Sequence, residues 1–188
     1  MKFVLSLMII CCIGSAVGVR VVGGVDQAAG ASASMAGWDA FSATWQLAGD
    51  AGAAETQIKA AIDKATEKMS FLTRGIARGR LANSLKVAKR IRMQREIDMF
   101  IIHPDTYTAL SMPLSGQTVK HKDLVLRISL ESAAGSSALR HSSESPQGKR
   151  ENVYRLQDGG KTLSMDVTVT SSQIPAPVRY ELLYRRVE

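Results

Sequence analysis

Three tyrosines and an arginine carried on alternating runs near the C-terminus have the types and spacing that could do chemistry. Tyr180, Leu182 and Tyr184 fall on one face of a period-2 run that ends at Arg186. Tyr154 and Met165 fall on the corresponding faces of the two preceding runs. A buried phenol needs a hydrogen-bond partner and can offer one to a ligand. A guanidinium keeps its charge and can clamp a carboxylate through two parallel bonds. Tyr154, Met165, Tyr180, Leu182, Tyr184 and Arg186 are therefore candidate ligand-binding residues for a small apolar or amphipathic molecule with an acidic head. Two plainer readings stand beside this one. The apolar faces could form a dry packed core, and Arg186 could stack on the ring of Trp45, closing one end of the structure with no ligand involved.

Little else in the chain is spelled as a reactive centre. His103, His121 and His141 sit on separate segments without metal-ligand spacing. Gly-x-Ser-x-Gly is absent, and Gly159-Gly160-Lys161-Thr162 stands between two strand patterns rather than between a strand and a helix. No catalytic residue, metal site or cofactor is expected, and the chain reads as a non-enzyme.

The N-terminus has the grammar of a secretory signal: Lys2, an apolar run from Phe3 to Ile13, then Gly14-Ser15-Ala16-Val17-Gly18. The run falls short of the roughly 20 residues that span a bilayer. Cleavage after Ala16 or Gly18 would deliver a secreted or periplasmic protein. Both cysteines, Cys11 and Cys12, would leave with the segment, and with them any disulfide or thiolate chemistry. The formal charge of the 188 residues is +7, and removal of Lys2 leaves +6. The cations are unevenly spread, since no acidic residue occurs between Lys68 and Arg95. Arg74, Arg78 and Arg80 lie in that run and are read as a basic patch at an entrance, suited to an anionic membrane surface or an acidic ligand. An ordinary solvated basic face is the plain alternative. Nucleic acid is not expected, because Phe71 is the one aromatic residue in the run.

The elements that must position these residues are mostly strands. Residues 19–38 are rich in Gly, Ala, Ser and Val without periodicity and read as a flexible lead-in to a domain over 39–188. Phe41, Ala43, Trp45 and Leu47 alternate as a first strand. Ala54, Ile58, Ala61, Ile62, Ala65, Met69 and Leu72 then recur at helical spacing, which predicts an amphipathic helix of about five turns. A weaker helical pattern follows, so that the helical segment covers 53–82. From Lys86 onward the period is two. Ile91 and Met93, then Ile97, Met99 and Ile101, then a short strand over 106–112, then Leu124, Leu126, Ile128 and Leu130 alternate with their neighbours. Ser136 to Ser143 reads as an exposed, edge-like strand. The last three strands are joined by a turn at Asp158-Gly159-Gly160, which supplies positive φ, and by a connector with Pro175 and Pro177. About eight to ten short strands with a single helical episode predict an all-β fold, an antiparallel up-and-down barrel with a helical lid between its first and second strands.

A first strand carrying Trp45, a meander of strands and a last strand ending Tyr184-Arg185-Arg186 resembles the lipocalin and calycin superfamily. The helical segment after the first strand is similar to the lid of its fatty-acid-binding branch. In that superfamily a first-strand tryptophan packs under a basic side chain from near the barrel's end, so the resemblance implies a barrel-closing pair of Trp45 and Arg186. Ala43 stands where family members usually carry glycine, and Tyr184 and Arg186 reverse the Arg-x-Tyr order of the fatty-acid-binding proteins. The resemblance implies a monomeric, non-enzymatic barrel that binds a small apolar or amphipathic ligand. The alternative is an envelope structural or interaction protein whose basic face contacts anionic lipid or an acidic partner.

Overall fold

The computed structural model describes residues 35–133 and 136–187. The segment read as a signal peptide and most of the lead-in lie outside them. In chain order the elements are α1 (Met35–Phe41), β1 (Ala43–Leu47), α2 (Ala51–Thr66), α3 (Phe71–Ser84), β2 (Arg90–Arg95), β3 (Met99–Pro104), β4 (Leu110–Pro113), β5 (Val119–His121), β6 (Leu124–Ala133), β7 (Ser136–Ser145), β8 (Gly148–Gln157), β9 (Thr162–Thr170) and β10 (Val178–Val187).

Ten antiparallel strands pair in the order β4-β3-β2-β1-β10-β9-β8-β7-β6-β5. Apart from the β1–β10 ladder, which joins the first strand to the last, every pairing is between chain neighbours or steps across the helices from β1 to β2. The result is a mostly closed up-and-down barrel with α2 and α3 between its first two strands. β4 and β5 share no ladder, and β4 lies instead against β6. Both edge strands are short, which limits the row of open backbone groups they present.

The longest ladders are those where alternation in the sequence is cleanest. Leu163, Met165 and Val167 of β9 face Tyr184, Leu182 and Tyr180 of β10 in register, and all six are buried. Between β8 and β9 the chain reverses at Asp158, Gly159 and Gly160, all three at positive φ. In β3 the buried parity belongs to Phe100 and Ile102, opposite to the predicted one, and Ile97 is 84% exposed in the preceding turn. The reason is register. Met93 pairs directly with Ile102, and directly opposed residues share a face, so the buried side of β2 selects the buried side of β3. β7, read as an edge, runs between β6 and β8, with Leu139 and His141 buried. Its serines disguise an interior strand.

Two departures at the start of the domain have local causes. Residues Met35–Phe41 form α1, where the sequence suggested lead-in and the beginning of a strand. α1 lies against β2 and β6, with the Trp38 and Phe100 rings 5.3 Å apart and Arg95 Nε 2.6 Å from Asp39 Oδ1. The amphipathic helix ends at Thr66 rather than running to Leu72. Ser70 begins α3 as its N-cap, and the Arg74 guanidinium donates to the carbonyl oxygens of Glu67 (2.6 Å), the C-cap of α2, and of Met69 (2.7 Å), so that one side chain ties α3 to the end of α2 and the link between them. α2 buries Ala54, Ile58, Ile62 and Ala65 and packs on β10. Each buried isoleucine contributes about 1.5–3 kcal/mol. α3 buries no residue at all.

The glycines separate these two grades of packing. A Cβ at Gly148, where β8 begins, would run into the carbonyl oxygen of Thr170, whereas one at Gly75 or Gly79 of α3 would meet nothing within 4 Å. Gly148→Ala should therefore lower stability by about 1–3 kcal/mol. The double change Gly75→Ala and Gly79→Ala should stabilise α3 by up to about 1 kcal/mol per site. Thermal melts followed by circular dichroism would show shifts in opposite directions; shifts of the same sign would contradict this account of the two environments.

Candidate functional site

Between α3 and the rims of β6, β7, β8 and β9 lies a cavity of about 520 Å³. That is within the range of roughly 300–1,000 Å³ typical of small-molecule sites. Met69, Ile76, Leu81, Leu124, Val169 and Ile174 supply its apolar wall. Among the described residues, Arg80, Lys149 and Arg150 are the charged ones that line it, and no carboxylate does. The Lys149 ammonium lies 3.6 Å from Glu151 on the same strand.

Arg150 heads a polar column that continues from the cavity into the barrel. Successive even positions of β8 place Arg150, Asn152 and Tyr154 on one face. Arg150 Nε donates to Asn152 Oδ1 at 3.0 Å, and Asn152 Nδ2 donates to the Tyr154 hydroxyl at 3.2 Å. Asn152 Nδ2 also lies 3.5 Å from Nδ1 of His141, its register partner on β7. With Nδ1 accepting, the network assigns the ring proton to Nε2, which is buried and has no hydrogen-bond partner among the described residues. Burial, aided by the Arg150 charge, lowers the His141 pKa to about 3, so the ring is neutral at physiological pH. Burial works against the Arg150 charge, yet its pKa lies above the ordinary guanidinium value, so the side chain stays charged. Burial pushes the phenols of Tyr154, Tyr180 and Tyr184 upward, which keeps them protonated.

The residues singled out from sequence are distributed differently. Tyr154, Met165, Tyr180, Leu182 and Tyr184 are all buried in the barrel, and neither they nor Arg186 line the cavity. The Tyr184 hydroxyl donates to the Ala88 carbonyl at 3.1 Å. Arg186 is exposed and sits opposite Trp45 in the β1–β10 ladder. Its guanidinium lies 4.9 Å from the centre of the fully buried Trp45 ring and donates to the Ala40 carbonyl. Trp45 Nε1 in turn donates to the Phe41 carbonyl at 3.1 Å, so the pair ties the barrel to α1. Arg74, Arg78 and Arg80 have different neighbours: Arg74 donates to the carbonyls of Glu67 and Met69, Arg78 bridges to Asp63 (2.8 Å) and Thr66 (3.2 Å), and Arg80 lines the cavity.

Arg150, Asn152 and His141 were absent from the sequence-based ligand-binding candidates. The signal was present for the first two, because stepping back from Tyr154 by two and by four positions reaches Asn152 and Arg150 on the same face. His141 was concealed by the polar composition of β7. Among the described residues, no group of three or more His, Cys, Asp or Glu is gathered to hold a metal ion. None of the helices among those residues is long and apolar enough to cross a membrane.

No family model matches the chain, and no curated protein matches it. Among solved structures it is similar to a secretary abundant heat soluble (SAHS) protein from Ramazzottius varieornatus, at 11% identity and a TM-score of 0.45, over 79% of this chain and 96% of that one.

Proposed function

We propose that this chain is an exported, non-enzymatic barrel that binds a small amphipathic molecule with an apolar tail and an anionic head. The observation that carries this reading is the cavity beneath α3, whose wall is apolar and whose charged residues are all cations. The head would meet Arg150, and the tail would lie along Ile76, Leu81, Val169 and Ile174. A guanidinium cannot shed its charge on burial, so an anion is the natural complement to Arg150. The binding region is the mouth of the barrel, above side chains that already pack its interior. Titration with a long-chain fatty acid, its methyl ester and a long-chain amine tests the proposal. The acid should bind more tightly than the ester, and the amine most weakly. Equal affinity for all three, or no binding of the acid, would overturn it.

A further inference from the structure

The helix that roofs the cavity carries a second feature, at its start and away from the cavity lining. Phe71 is 88% exposed and Leu72 80%, and α3 buries none of its residues. Phe71 and Leu72 are the first two residues of that helix, at the corner where α2 gives way to α3. The corner is built rather than frayed. Ser70 caps α3, with its hydroxyl 2.8 Å from that of Thr73, and Arg74 binds the carbonyls of Glu67 and Met69. Phe71 and Leu72 are adjacent, and neither lines the cavity.

The charges around the corner are lopsided. Lys64 in the last turn of α2 and Lys68 in the turn that follows are exposed, Glu67 is the acid between them, and from Lys68 to Arg95 the chain has no acidic residue. Exposed Phe and Leu flanked by lysines are the composition of a surface that seats at the headgroup and acyl boundary of an anionic bilayer. We infer that the α2–α3 corner docks on an anionic phospholipid bilayer, with Phe71 and Leu72 entering the interface and Lys64 and Lys68 meeting the headgroups. Met69, Thr73 and Ile76 belong to both the corner and the cavity wall. On the reading of the cavity given above, a docked protein would hold the cavity mouth against the lipid, and an amphipathic ligand could pass between them. The docking itself does not depend on that reading.

Flotation with phosphatidylcholine vesicles, with and without phosphatidylglycerol, tests the inference on the full chain. The wild-type protein should partition to the anionic vesicles, and added salt should weaken that binding. Phe71→Ser with Leu72→Ser, and separately Lys64→Glu with Lys68→Glu, should each lower the partition about tenfold or more. These residues are exposed, so the melting curve should be unchanged. A Phe71→Trp variant gives a direct reading, because the chain's own Trp38 and Trp45 are buried, and its emission should shift to the blue on anionic vesicles. Equal partition of wild type and the serine variant, equal binding to neutral and anionic vesicles, or no shift from Phe71→Trp would overturn the inference. So would a change of oligomeric state in the serine variant by light scattering, which would make the corner a contact between copies. Unchanged fatty-acid titrations in the serine variant would show that docking and ligand binding are separate properties.

Discussion

Replacing Arg150 with methionine should weaken binding of a long-chain fatty acid by about 10- to 100-fold while leaving its methyl ester almost unaffected. The magnitude is that of a hydrogen bond to a charged group, about 1.5–3 kcal/mol. Methionine keeps most of the length and apolar volume of the side chain, so the tail's surroundings change little. The fold should tolerate the change, because Arg150 is only half-buried at the end of a strand. The hydrogen bond that its Nε donates to Asn152 is worth about 1 kcal/mol. Arg150→Lys should recover part of the affinity, since it restores a positive charge but not the planar fork. Arg186→Ala is the informative control. That guanidinium lies over Trp45 away from the cavity, so its loss should cost about 0.5–1 kcal/mol of stability and leave fatty-acid affinity alone. Parallel isothermal titrations of acid and ester separate the outcomes. If Arg150→Met binds the acid as tightly as the wild type does, or if Arg186→Ala is the variant that loses it, the assignment of the head to β8 is wrong.

What could be read from the sequence, and what could not, follows from how each signal arises. A half-buried strand writes its burial into its own alternation, and the runs Leu163 to Val167 and Tyr180 to Tyr184 therefore showed both their type and their buried face. Barrel architecture followed from the number and spacing of such runs. β3 resisted because Met99, Phe100, Ile101 and Ile102 are apolar on both faces, and only the partner strand decides which face goes in. β7 resisted for the opposite reason, since its serines give no alternation although its neighbours bury it. The break between α2 and α3 depends on Arg74 reaching back to carbonyls five and seven residues away, which no periodicity records. At the candidate site the sequence was less informative. Met165, Leu182 and Tyr184 are buried in the barrel away from the cavity, whereas Arg150, two residues before the buried Asn152 on the same face of β8, lines it.

His141 should make the folded state lose stability on acidification across a window set by one buried ring. An unfolded chain takes up a proton on this histidine near its ordinary value of 6.5, whereas the folded chain does so only near 3. Between those values the unfolded state binds more protons, so stability falls as pH drops from about 6.5 toward 3 and is fully present above 6.5. The loss is on the order of a few kcal/mol, since each tenfold difference in proton affinity between the two states corresponds to about 1.4 kcal/mol. Groups that face the ring reinforce this direction. Asn152 can donate to Nδ1 only while that nitrogen is unprotonated, and Arg150 would repel an imidazolium. Carboxylates add their own acid sensitivity at the lower end. Glu131, for example, is held below its usual range by its hydrogen bond from Arg140, and that stabilisation disappears as pH falls through the lowered value. His141→Gln removes the titrating ring but keeps a neutral group able to accept from Asn152, so subtracting its profile from the wild-type one isolates the histidine. Denaturation midpoints at intervals from pH 4 to 8 should show the wild type losing stability relative to His141→Gln below pH 6.5, with a flat difference above it. Fatty-acid binding should be level between pH 6.5 and 8, because His141 stays neutral there and Arg150 stays charged. Parallel stability profiles for the two proteins would mean that the ring is hydrated or mobile, and the polar column beneath Arg150 would lose its inner end.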